Sequence, residues 1–372
     1  MFEWILDPYS LPFWILVFSI IAIIIAIIFR PLSTYMKFVY PNAKFEAIGN
    51  PFLTEKEVNH LLENKELGLF KEMLNTSKDY KVAGEDIISL QNSLEDQFIQ
   101  TIEMMRRDSP KKLNAFYDTY LEKIDIIIIR NKMKTILLGT QKNIDIEKTN
   151  LPHTQELLRK LSNATKETLP QILESYGFEK DLIEAIVTEP LDLLAVDTAL
   201  DKHAIKNLTQ VKVPYKCEHA KQRFVHRMTD IMTIKQILRA KQLGYDSLTC
   251  KKLFLGVGAE IAQWRFQEMT ETEQIADVIS ALDGTSYFPV LNDALRVYTT
   301  EGSIQVFENA LDRYFLKIIR DVSLENYITL GPTLRFLVSK EFEIQNLKVI
   351  AKGISDQLPA DFTKQFIIME AG

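Results

Sequence analysis

Hydrophobic and polar positions divide this chain near residue 30. From Leu11 to Phe29 it reads LPFWILVFSIIAIIIAIIF, 19 residues without a charge. At about 1.5 Å per helical residue such a run reaches roughly 28 Å, just enough to cross a hydrocarbon core. After residue 40 the pattern is helical almost throughout. The segment LTEKEVNHLLENKELGLFKEML opens with a capping box, Thr54 with Glu57, and carries Val58, Leu61 and Leu62 at helical spacing. DSPKKLNAFYDTYLEKIDIII predicts a helix with Ser109 as N-cap and Pro110 at its first position, and TETEQIADVISAL predicts a second capping box, Thr270 with Glu273. The run IDIIII at 124–129 has the β-branched content of a strand, but the phrase that follows it places it on a helix. The expectation is an all-α chain after the apolar segment.

The apolar segment does not read as a cleaved signal. Glu3 and Asp7 precede it where Lys or Arg would be needed, no small-x-small site follows, and the run ends at Arg30-Pro31. A retained transmembrane helix is expected, with Trp4, Tyr9 and Trp14 in an interfacial aromatic belt. The flanks are acidic before it and basic after it (Arg30, Lys37, Lys44), which orients the N-terminus outside and everything after residue 30 in the cytoplasm. A helix buried against the protein's own domains is the alternative, but the run offers no polar face to water.

Two phrases recur in the same order three times. DIIIIRNKMK from Asp125, DIMTIKQILR from Asp230 and the segment from Glu343 in EFEIQNLKVIAKG each run acid, apolar stripe, then basic residues four apart, at spacings of 105 and 113 residues. LEDQFIQ from Leu94, VDTALDK from Val196 and FENALDR from Phe307 precede them, with the acids Glu95, Asp197 and Glu308 lying 30, 33 and 35 residues upstream. A third echo, LNTSKDY (74–80) against LDGTSYF (282–288), joins the first and last units. The period far exceeds the short helical solenoid units of about 34–47 residues and matches a domain. The division expected is residues 1–36 as membrane anchor and flank, then helical domains at 37–145, 146–248 and 249–372.

A helical wheel assigns roles to the phrase. With Asp230 at the origin, Ile231, Ile234, Ile237 and Leu238 fall within roughly −20° to 100°, and Lys235 and Arg239 at roughly 140° and 180°. Ile344, Leu347, Ile350 and Ala351 repeat the stripe, with Lys348 and Lys352 beside it; in the first copy the pair is Arg130 and Lys134. Asp125, Asp230 and Glu343 sit at the stripe's edge, where a carboxylate must be paired or hydrogen-bonded. Two readings follow: structural acids locking two helices beside solvated basic pairs, or basic pairs that face a partner protein.

Composition removes several classes of function. Hydrophobic residues are 47% and charged residues 25%, the net charge is −6, and no basic block suggests nucleic acid. Cys217 and Cys250 are too few for a disulfide framework, and Cys217, His219 and His226 lack a recognised zinc spacing. GVG at 256–258 lacks a third glycine and a preceding strand, and no phosphate loop, GxSxG or HExxH occurs. His60, His153 and His203 read as ordinary. Neither a catalytic constellation nor a cofactor motif is present in the sequence.

From about residue 40 to the end, the chain resembles the C subunits of archaeal and bacterial rotary ATP synthases and the related d subunits of vacuolar ATPases. The resemblance rests on the opening YPNAKFEAIGNPFLTEKEVNHLLENKELGLFKEMLNTSKDY, on TIKQILRAKQLG, and above all on LRFLVSKEFEIQNLKVIAKG with its E-x-E-I-x-N-L-[RK] form. It departs from the family at Ile128-Ile129, where Asn followed by Ile or Leu is usual, and in the N-terminal apolar helix. The resemblance implies three similar domains around a pseudo-threefold axis, forming a funnel. It implies a non-catalytic rotor part whose mouth receives the central stalk (D- and F-type subunits) and whose base sits on the membrane proteolipid ring, one copy per complex. The apolar helix would then enter the lumen of that ring, or lie in lipid beside it. Composition and repeats alone equally admit a single-pass anchored scaffold for another complex; the closing phrase separates the two.

Overall fold

The computed structural model describes residues 8–49, 53–76, 80–140 and 151–370. Glu3, Trp4 and Asp7, part of the LNTSKDY phrase, and the expected boundary at 145/146 lie outside them. The described residues form 17 α-helices and no strand.

Helix α1 (Leu11–Ile48) is 38 residues long, capped by the Ser10 hydroxyl on the Phe13 N–H and ended at Gly49, whose φ of 104° suits glycine. It is long and apolar enough to cross a membrane, and its most apolar window is entirely unburied. The helix does not stop where the apolar run stops. Pro31 forfeits one backbone hydrogen bond, yet the helix continues because its last turns are packed: Phe38, Asn42 and Phe45 are buried, Phe45 stacks on Phe336 at 4.9 Å, and the Asn42 amide donates to the Tyr327 and Thr329 carbonyls. One helix therefore runs without a break across the expected division at residue 36/37.

Three pairs of long helices consecutive in the chain dominate the rest: α4 (Ile87–Asp108) with α5 (Asn114–Leu137), α9 (Leu193–Gln210) with α10 (Glu218–Gln242), and α15 (Gln305–Glu325) with α16 (Gly331–Ser355). The acid of the first phrase lies on the first helix of each pair and the acid of the second phrase on the second. Shorter helices precede the pairs: α2 (Glu55–Leu62) and α3 (Leu67–Thr76); α6 (Pro152–Ser162), α7 (Leu169–Ser175) and α8 (Lys180–Val187); α11 (Ser247–Lys251) to α14 (Phe288–Glu301). Between pairs, α5 packs on α9, α10 on α15, and α16 on α4.

Local signals fared unevenly. The Thr54–Glu57 capping box forms, and 124–129 is helical within α5. The other two caps do not form. Ser109 ends α4 in extended conformation and shares a 2.8 Å hydrogen bond with the Tyr117 hydroxyl, so α5 starts only at Asn114. Thr270 sits buried near the end of α12 (Gln263–Glu271), its hydroxyl bonded to the Gln267 carbonyl, and α13 (Ile275–Ser280) begins beyond it. In both cases tertiary packing claims a hydroxyl that local sequence offers to a helix start.

Because Phe45 is fully buried against Phe336, Phe45→Ala should lower stability by about 3–5 kcal/mol. Thermal unfolding in detergent checks this, with Ile25→Ala, on the unburied stretch of α1, expected to leave the midpoint unchanged.

Candidate functional site

The repeated acids hold loops in place. Asp230 on α10 is fully buried. Its Oδ2 accepts from the Ala259 and Glu260 amides at 3.0 and 2.9 Å and from the Tyr287 hydroxyl at 2.9 Å, while Oδ1 accepts from the Ile261 amide at 3.0 Å. The loop closes so tightly that a Cβ on Gly258 would overlap the Asp230 carboxylate. The last glycine of GVG thus makes room for a carboxylate that the next three residues cradle with their backbone amides. Glu343 on α16 plays the corresponding part, accepting from the Leu53 amide at 2.8 Å, from the Tyr80 hydroxyl, and from the buried Lys340 ammonium at 3.2 Å. Tyr80 and Tyr287 end the LNTSKDY and LDGTSY echoes. Asp125 is fully buried on α5. Burial pushes the Asp230 carboxyl above its ordinary range, although the three amides and the Tyr287 hydroxyl pull the other way.

The basic pairs meet the acids of the first phrase on the neighbouring pair of helices. On α5, Lys134 lies 2.7 Å from Asp197 and the Arg130 guanidinium bonds Asp201 on α9. On α10, Lys235 lies 2.5 Å from Asp312 and Arg239 forks onto Glu308 of α15 at 2.5 and 2.7 Å. On α16, Lys348 pairs with Glu95 of α4, whereas Lys352 turns to Asp356, 2.8 Å away, at the end of its own helix. The third join lacks a second acid because Ile99 stands where the others have Asp201 and Asp312. Each of these cations thus has a carboxylate partner within the chain, while Arg239 and Lys352 keep about half of their side chains exposed. The wheel separated one packed face from one open face, but each second helix is flanked on two sides, and the second flank is ionic.

Sequence reasoning passed over Asp201 and Asp312, although both lie inside the quoted phrases four residues after Asp197 and Glu308. Burial raises the pKa of each carboxyl further than Arg130 or Lys235 can lower it. Sequence reasoning read His203 as ordinary; the residue is buried on α9 with Nδ1 2.7 Å from Glu179 and Nε2 3.9 Å from Glu122 and 3.1 Å from the Asn207 amide. Nothing in the local sequence marks it, since its partners lie on α5 and just before α8.

A cavity of about 230 Å³ opens where α5, α10, α15 and α16 approach one another. Its wall is aromatic and apolar (Tyr120, Phe224, Met228, Phe315) with charges at the edge, where Lys123 pairs with Glu341 at 3.0 Å. Among the described residues no group of three His, Cys, Asp or Glu side chains is placed to hold a metal. Cys217 and Cys250 are buried thiols, Cys217 pushed up to about 12 by burial.

In this all-helical chain the repeated polar residues bind neighbouring segments of the chain itself, an arrangement suited to a structural subunit. Residues 41–366 match the ATP synthase (C/AC39) subunit family, and the chain belongs to that family, which supplies a non-catalytic subunit of the rotary ATPase. It is similar to the C subunit of the A-type ATP synthase of Methanothermobacter thermautotrophicus, 29% identical over 344 residues covering 89% of this chain and 88% of the relative. It is similar also to the corresponding subunits of Methanosphaera stadtmanae (27%; 93% and 92% covered) and Methanobrevibacter smithii (30%; 89% and 88% covered). Most of α1 precedes the matched residues.

Lys235→Met leaves Asp312 buried with its nearest cation removed and should cost about 2–4 kcal/mol, less than a fully buried pair because both side chains keep some water. Adding Asp312→Leu should restore most of the loss; chemical denaturation of the two variants checks the order. A second expectation concerns pH. Burial lowers the His203 pKa, but hydrogen bonds and charge from Glu122 and Glu179 outweigh it and hold the value above 6.5. The folded chain binds this proton more tightly than the unfolded chain, so the contribution is complete below pH 6.5 and is lost as pH rises through the raised value. Melting temperature should fall over that window, and His203→Gln should flatten the fall.

Proposed function

We propose that this protein is the socket of an A-type ATP synthase rotor, joining the central stalk (D- and F-type subunits) to the membrane proteolipid ring. In that place it links ATP synthesis or hydrolysis to proton or sodium transport. The observation that carries the reading is the closed order of packing, α5 on α9, α10 on α15 and α16 on α4, in a chain of this family. In this reading residues 37–145, 146–248 and 249–372 are three repeats around a pseudo-threefold axis, forming a funnel, and the cavity between α5, α10, α15 and α16 lies near that axis. The basic residues Arg130, Lys134, Lys235, Arg239 and Lys348 set the register between repeats, whereas Lys352 stays with its own helix, and the stalk seats on other surfaces of the funnel.

The mechanism is mechanical. Torque passes through a body only as far as the body resists bending, and close-packed helical interiors are poorly compressible. Two of the joins combine a carboxylate (Asp230, Glu343) held by the neighbouring repeat's backbone and hydroxyl groups with ion pairs along the helices, so rotation of one repeat about another breaks several polar contacts at once. The membrane span is Leu11 to Phe29, with the N-terminus outside and the helical body cytoplasmic; one copy serves each complex.

Affinity purification of the tagged chain from its native membrane, solubilised in detergent, tests the proposal. The ATPase catalytic subunits, central stalk and ring proteolipid should accompany it, with one copy of this chain per complex. A preparation free of all of them, with ATPase activity left in the flow-through, would favour an anchored scaffold for another complex.

A further inference from the structure

We propose that the end of the helical body nearest the membrane binds anionic lipid headgroups, through Lys37, Lys111, Lys112 and Lys212 set around Tyr327 and Ile328; the inference rests on the reading of α1 as a membrane span. The span fixes how high the body stands. Phe38, nine residues beyond Phe29, is 1% exposed, so the body closes over α1 about 14 Å from the hydrocarbon edge. The headgroup layer takes about 5–8 Å of that. A helical side chain lies over the turn before its own Cα, which takes up much of the remainder. The body therefore ends within a few ångströms of the headgroups, closer than a Debye length of about 8 Å.

The contacts of α1 define which part of the body faces them. The Asn42 amide bonds the Tyr327 and Thr329 carbonyls and Phe45 stacks on Phe336, so α1 runs alongside the start of α16 and points back past the α15–α16 turn toward the membrane. Lys44 pairs with Asp108 at the end of α4. The Cys217 thiol, just before α10, meets the Leu330 backbone. All three turns between paired helices thus gather at this end.

The chemistry of this end is basic and aromatic. Each acid in the turns is taken by a cation, Asp108 by Lys44, Glu218 by Lys221 and Glu325 by Arg223. Lys37, Lys111, Lys112 and Lys212 are exposed, as are Tyr327 and Ile328, at 51 and 56%. In a chain of net charge −6 this gathering of lysines is a local exception. Lysine stems lie along apolar surface while their ammonium groups reach for phosphate, and tyrosine settles at the boundary between membrane and water. Held this close, cations draw anionic lipid in preference to neutral lipid. With α1 in the lumen of the ring or in lipid beside it, the headgroups around the helix are those that these turns meet.

The full-length chain carrying a photo-crosslinking amino acid at Tyr327, in nanodiscs of equal parts phosphatidylcholine and phosphatidylglycerol, tests the surface. Mass spectrometry should find phosphatidylglycerol adducts in about fivefold excess over phosphatidylcholine adducts. The same group at Ile21, within the span, should give the two in equal measure, and at exposed Leu243, at the far end of α10, neither. Lys111→Glu with Lys112→Glu and Lys212→Glu should bring the Tyr327 adducts to parity without moving the thermal midpoint. Parity before those substitutions, an excess that survives them, or no lipid adduct at Tyr327 while Ile21 gives one overturns the lipid surface and leaves the span standing. No lipid adduct at either position overturns both. In the assembled complex in native membranes, adducts from Tyr327 to the ring proteolipid alone also overturn the lipid surface.

Discussion

A buried carboxylate without partners is among the costliest things a helix can carry, and this fold spends that cost at its joins. Asp230 is tolerable only because the loop 259–261 turns three amides toward it and Tyr287 adds a hydroxyl. Glu343 is tolerable because Leu53, Tyr80 and Lys340 do the same. Most of these donors lie outside the helical pair that carries the acid. Each pair is thus incomplete alone, and the demand for hydrogen bonds draws other segments onto it. The ion pairs beside these acids obey one direction, from a second helix to the first helix of the following pair. Association of this kind, head to tail, either closes or runs on indefinitely. Here the packing of α16 on α4 closes it.

The closing join differs from the other two. It is the one place where no continuous chain links the partners in sequence, and it has one helix-to-helix ion pair where the others have two acids to share. In compensation it has α1, which reaches α4 through Lys44 and Asp108 and the α15–α16 turn through Asn42. It also has the C-terminal segment, gripped by Asn309, Arg313 and Asn346 through the backbone of residues 365–368. Asn346, the asparagine of the closing phrase, thus holds this segment; the first two copies of the phrase have Ile128 and Thr233 at the same offset.

Much of this was legible in advance, and the remainder was hidden for identifiable reasons. Periodicity marks helices, and a recurring phrase marks equivalent positions, so the acids and cations could be singled out by number. A wheel drawn for one helix, however, cannot tell which of its flanks will meet a neighbour, and the ionic flank was therefore assigned to water or to a partner. The Tyr80 and Tyr287 hydroxyls were visible as the ends of an echo but had no acid to point to until the chain was folded. His203 had no local signal at all, since its carboxylates come from α5 and the segment before α8. The length of α1 was hidden in a different way: hydropathy reports where lipid could begin and end, whereas backbone continuity depends on what Phe38 and Phe45 later pack against.

That continuity has a bearing on how the molecule is made. The carbonyls that fix Asn42 lie 285 and 287 positions after it in the chain. At about 5–20 residues per second, some 15–60 seconds separate the two. On the proposed reading of α1 as a membrane span, the helix is inserted well before its seat exists. The body is then wound up beside a post already planted, and the last helices made are the ones that tie it there.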